Sequence, residues 1–154
     1  MPRRGLASRW STDPAFRRLV VGVGLAMLLG LGIRVGFVLG VQDEVELTTG
    51  DAYWYHFQAK LVADGKGFLD PFEFFKHGRE VPGGDHPPGV VLVLAGADLA
   101  GIDSPQGQRL FMSLIGTASI GVIAALARRL AGNRAAVVAA FLAAIYPNIW
   151  VNDG

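Results

Sequence analysis

Apolar positions in this chain fall in long blocks, with the charges gathered between them. The run LVVGVGLAMLLGLGIRVGFVLGV, residues 19–41, carries one charge, Arg34. About 20 apolar residues in a helix cross the hydrocarbon core of a bilayer, so this run is long enough to span. Two more blocks follow, LFMSLIGTASIGVIAALA at 110–127 and AAVVAAFLAAIYPNIWV at 135–151. Both are lined by small residues, Gly116, Ser119 and Gly121 in one and the alanines of 135–144 in the other, which suits close packing inside a helical bundle. Pro147 is expected to end or kink the last helix, beside Tyr146 and Trp150, residue types that favour the membrane–water interface. A cleaved signal peptide competes for the first block, because Arg3, Arg4, Arg9, Arg17 and Arg18 precede it. The block exceeds the roughly 7–15 residue core of such peptides, and no small-x-small cleavage site follows cleanly, so it reads as an uncleaved anchor.

Charge orients these blocks. Residues 1–18 hold five arginines against Asp13, and the connector RRLAGNR at 128–134 holds three arginines and no acid. Residues 42–86 hold nine acids against four bases. The excess of arginine marks the cytoplasmic side, which puts both 1–18 and 128–134 there. The expected fold is therefore all-α and polytopic in the cell membrane: a basic cytoplasmic N-terminus 1–18, a first crossing 19–41 and an extracytoplasmic loop 42–109. A second crossing 110–127, the cytoplasmic connector 128–134 and a third crossing 135–151 follow, with 152–154 opening a second outer loop. The short apolar stretch PPGVVLVLAGADLAG, residues 87–101, contains Asp98, and a crossing there would put the arginine connector outside. It is expected as a helix, 88–100, along the outer interface. Three crossings of small-residue helices make a poor complete bundle, so the chain reads as the N-terminal portion of a longer protein.

The outer loop carries the polar chemistry. In GDAYWYHFQAKLVADGKGF, residues 50–68, Asp51 is placed to cap a helix over 52–64 and Gly65 to stop it. Trp54, Phe57 and Leu61 recur as an apolar stripe expected against the headgroups, with Tyr53, His56, Lys60 and Asp64 on the opposite side. A second aromatic cluster, FLDPFEFF at 68–75, is expected to dock beside it, ahead of the turn-rich HGREVPGGDHPPG at 77–89. The chain has no cysteine, which excludes disulfides and thiolate chemistry, and a net charge of +1, which gives no reason to expect a nucleic-acid partner. His56, His77 and His86 match no standard zinc spacing.

Acids and cations gathered at a membrane face suit a reaction on a lipid-borne substrate. With a sugar on a polyprenyl phosphate, cations would hold the phosphate while a carboxylate takes the proton of an attacking hydroxyl. The order first crossing, GDAYWYHFQAKLVADGKGF, DHPPG, an arginine opening the next crossing, RRLAG and YPNIWVNDG resembles the start of one family. It is similar to the GT-C membrane glycosyltransferases of the protein-mannosyltransferase and aminoarabinose-transferase type (glycosyltransferase family 39-like), over residues 19–154. The resemblance implies a donor of polyprenyl-phosphate-linked sugar, a glycan, lipid or protein acceptor, and transfer on the outer face of the bilayer. It implies Asp51 as the catalytic acid of the first loop, His86 in an HPP segment near the substrate, Arg109 at the head of the second crossing and Asp153 at the start of the next outer loop. Arg34, His56 and Lys60 join these as candidate substrate-binding residues. Each has a plainer reading: Arg34 snorkelling to the headgroups, His56 solvated, Lys60 facing anionic lipid, Asp51 only a cap. No cofactor is called for beyond a divalent metal ion, and Ala52 stands where many relatives place a second acid to bridge one. A lipid-substrate transporter or flippase and a non-catalytic membrane subunit are the competing readings; the first would need more intramembrane polar residues than Arg34.

Overall fold

The computed structural model describes residues 13–42 and 47–151, and these are helical with no strand. The helices are α1 Pro14–Gly40, α2 Gly50–Ala63, α3 Pro71–His77, α4 Pro88–Leu99, α5 Pro105–Ile145 and α6 Pro147–Trp150. Two of them, α1 and α5, are long and apolar enough to cross a membrane. The described residues divide into two compact units, one of residues 13–37 and 113–151, the other of residues 38–42 and 47–112.

In the first unit α5 is not continuous. Gly132 has φ 83° and ψ −173°, a conformation open to glycine alone, and it breaks the helix inside the arginine connector. Arg128 Nε donates to Asn133 Oδ1 at 3.0 Å across the break. A Cβ placed on Gly30 of α1 would meet both Ile120 and Ala144, which lie equally far in sequence on either side of Gly132. The chain therefore reverses at Gly132, and three helical segments pack together in up-down-up order. Their contact is made of small residues: Ala26, Ala124, Ala136, Ala140 and Ala144 are buried around Leu19 and Ile120. Gly22 lies against Val137 and Gly121 against Met27. The helix after the reversal stops at Ile145, and Pro147 opens the separate turn α6, whose Trp150 ring meets Phe37 edge-on at 5.3 Å.

The second unit is built on α2 and α4, with Ala59 of α2 buried against Val91, Leu94 and Ala95 of α4. Pro88 sits in the first turn of α4, and Gly101 at φ 87° follows its end. Helix α3 shows where local chemistry acts alone: Asp70 accepts from the backbone N–H of Phe72 (2.8 Å) and Glu73 (3.1 Å), Pro71 fixes the first turn, and Gly78 closes the end at φ 65°. Sequence reading expected an aromatic cluster here; the D-P-x-E start and the glycine stop make it a helix.

Candidate functional site

Helix α2 begins two residues earlier than a cap at Asp51 requires. Thr49 is the capping position, Gly50 opens the helix, and Asp51 lies in its first turn. The cap reading of Asp51 is thus corrected. Its carboxylate is free to turn to the loop before α4, where Oδ1 lies 3.2 Å from His86 Nε2. Asp51 is 84% exposed at its side chain and His86 22%, so water and solutes reach the carboxylate while the imidazole is largely covered. What covers it is aromatic: Trp54 stacks on the imidazole at 4.9 Å and 23°, and Tyr55 meets it edge-on at 5.1 Å. With Asp51 accepting, Nε2 carries a hydrogen, and the buried Nδ1 has no hydrogen-bond partner among the described residues.

Trp54 itself is buried inside this unit, as are Tyr53 and Leu61. The stripe expected against the headgroups is therefore largely spent on protein contacts, which corrects that expectation; Phe75, 43% exposed, keeps an outward ring. The aromatic cluster of 68–75 does meet α2: Tyr53 stacks on Phe72 at 4.5 Å, Trp54 lies at 5.9 Å from Phe72, and Phe57 at 5.1 Å from Phe75. Lys76 covers the Tyr53 and Phe72 rings from 5.2 and 4.7 Å and donates to the Thr48 carbonyl. Burial and, secondarily, the Asp70 carboxylate push the Tyr53 phenol above its ordinary pKa.

The other expected site residues lie in different settings. His56 is buried, not solvated, with Nδ1 2.9 Å from Gln108 Oε1 at the start of α5. Arg109, next to it, donates from Nη1 to the Gln42 carbonyl at 2.7 Å, tying the start of α5 to the residues just after α1 within the second unit. Lys60 is half-buried on α2. Arg34, in the first unit, is 1% exposed and donates back to the Gly30 carbonyl of its own helix, so its side chain points toward the helix N-terminus; snorkelling to the headgroups beyond the C-terminal end is corrected. Asp153 lies outside the described residues. The structure thus joins Asp51 to His86 and His56 to Gln108.

Asp51 and His86 would offer a divalent ion two donors. Among the described residues no three His, Asp or Glu side chains gather as a ligand set. Sequence reading missed Trp54 as the stacking partner of His86, and missed Gln58 and Gln108 altogether. Only the i, i+4 spacing of Trp54 and Gln58 hinted at a pair. No known protein family, curated protein sequence or solved structure matches the chain.

Proposed function

We propose that the chain belongs to a multi-pass membrane glycosyltransferase that moves a sugar from a polyprenyl-phosphate donor to a hydroxyl acceptor on the outer face of the membrane. The observation that supports it best is an exposed carboxylate, Asp51, held by a covered imidazole in the unit that follows the first apolar helix. Asp51 takes the acceptor's hydroxyl proton; the freed oxygen forms a bond to the anomeric carbon, and the carbon–phosphate oxygen bond breaks with its electron pair leaving on the lipid phosphate. Lys60 and Arg109 of the same unit are the cations proposed to receive that phosphate, with His56 as a further substrate contact. His86 holds the carboxylate in one orientation through Nε2–H.

The test uses the full-length gene product in membranes with radiolabelled polyprenyl-phosphate mannose and arabinose. Asp51→Asn keeps size and removes basicity, and transfer is expected to fall by about 10²–10⁴-fold at unchanged protein level, the range of a general base. Equal transfer by the variant removes Asp51 from the chemistry. Absence of transfer by the wild type with either donor moves the transporter and structural-subunit readings ahead.

A further inference from the structure

Gln58 lies one helical turn beyond Trp54 on α2 and is 1% exposed. Its amide is used at both ends: Nε2 donates to the carbonyls of Leu69 (3.0 Å) and Gly83 (2.9 Å), and Oε1 accepts from Trp54 Nε1 at 3.0 Å. The orientation is chemically fixed, because a carbonyl only accepts and an indole N–H only donates. Both connections lead to His86. Trp54, anchored through its N–H, presents its face to the imidazole. Gly83 opens the short loop that delivers His86 to Asp51, and its carbonyl is held by the same amide.

The imidazole has little else to orient it. His86 Nδ1 makes no hydrogen bond among the described residues, so nothing on that side fixes the ring; only the Nε2 contact to Asp51 and the two aromatic contacts remain. A ring held at one nitrogen can rotate about that bond unless its faces are blocked. Trp54 blocks one face, and the plane of Trp54 is set by Gln58.

We infer that Gln58 is the positioning residue of the Asp51–His86 pair, aiming the His86 Nε2–H at the carboxylate from the ring side through Trp54 and from the backbone side through Gly83. The catalytic consequence rests on the glycosyltransferase reading; the geometric one does not, and the two are separable by experiment. The whole chain, labelled with ¹⁵N-histidine in detergent, has three histidines, and His56→Gln and His77→Gln leave the His86 signals alone. The ring nitrogen shifts then report which nitrogen carries the hydrogen.

In the wild type the Nε2–H form of His86 is expected to dominate. Gln58→Met fills the same space without either hydrogen-bonding end and is expected to lower the ratio of the two tautomers at least about 3-fold, the reach of a single hydrogen bond. Trp54→Leu keeps both bonds from Gln58 to the carbonyls, so the loop stays clamped while the ring contact is lost; the same fall is expected, and this variant decides the matter if Gln58→Met fails to fold. An unchanged ratio in folded Gln58→Met, or in Trp54→Leu when it stands alone, overturns the inference. In the transfer assay a positioning role lowers kcat about 10-fold with donor KM unchanged, because the contact tightens only as the proton moves. A tautomer shift beside a wild type that transfers no sugar upholds the positioning role and sinks the glycosyltransferase reading.

Discussion

The two units bury opposite things. In the first, most of the buried apolar residues are alanines, Ala26, Ala124, Ala136, Ala140, Ala143 and Ala144 around Leu19 and Ile120, while Leu28 and Val122 are 67% and 69% exposed. In the second, Tyr53, Trp54, Leu61 and Val91 are buried, and Gln58, His56 and Gln108 are buried with them and hydrogen-bonded. Large outside and small inside is what a lipid solvent selects, since lipid tails are as apolar as leucine and only close backbone approach is left to gain. Large inside is what water selects, and every polar group carried in must then find a partner. The first unit is specified by atoms that are missing, the second by bonds that are aimed. The Asp51–His86 pair sits in the second, where direction can be enforced.

Beyond the loss of transfer expected of Asp51→Asn, the largest break falls on Gly83. A Cβ there would stand 2.7 Å from the Asp70 nitrogen and 2.8 Å from the Leu69 carbonyl carbon, both backbone atoms. That backbone cannot retreat, because Leu69 O receives Gln58 and Asp70 N donates to Val81 O. Gly83→Ala is expected to destabilise the second unit by about 2–3 kcal/mol, the upper range of overpacking, read as earlier proteolytic cleavage within 47–112 on a temperature ramp. Wild-type resistance in the variant would mean the loop is not clamped. Ala140→Leu makes the corresponding intrusion in the first unit and is expected to cost about 1–3 kcal/mol by thermal unfolding in detergent. Gly30→Ala should cost less than either, because the atom it meets first is the free end of Ile120.

Much of the first unit could be read from the chain. The blocks of apolar residues locate α1 and the two halves of α5, and the arginine connector RRLAGNR falls where Gly132 breaks the helix. Pro88 and Gly101 bound α4 for equally local reasons. The second unit resisted. The period of Trp54, Phe57 and Leu61 is the same whether the stripe meets lipid or protein, so periodicity could not choose between them. His86 and Asp51 are brought together by a loop whose path is set by Gln58, a residue with no chemical signature of its own. His56 looked solvated because its partner, Gln108, is distant in sequence.

Tyr53 separates the units more gently. Its folded-state pKa lies above the ordinary tyrosine value, first through burial and then through the Asp70 carboxylate. The protonated phenol therefore adds stability that is fully present below the unfolded value near 10 and is lost as pH rises through the raised folded value. Tyrosinate absorbance in a Tyr55→Phe, Tyr146→Phe background should show Tyr53 titrating late, with unfolding of the second unit setting in along with it. Asp70→Asn retains the capping oxygen of α3 and removes the charge, so the titration is expected to move down only part of the way, burial being the larger cause. A complete return to the ordinary value would make charge, not burial, the main cause.

The smallest effect tests the inverted pattern directly. Leu28→Ala and Val122→Ala delete large side chains that are two-thirds exposed on α1 and α5. In a water-facing protein, exposed leucines contribute little but their loss improves solubility; in lipid, the deleted methyls are replaced by acyl chain at almost no cost, and alanine is the better helix former. Each variant is expected to unfold within about 0.5 kcal/mol of wild type in bilayer nanodiscs. In detergent-free buffer the same chain should aggregate with or without the substitutions, because many other large apolar side chains remain on those faces. A loss above about 2 kcal/mol for either variant would match a side chain packed in a protein core. It would mean that these faces are covered by protein rather than by lipid, and that the small-inside pattern of the first unit describes only part of a larger core.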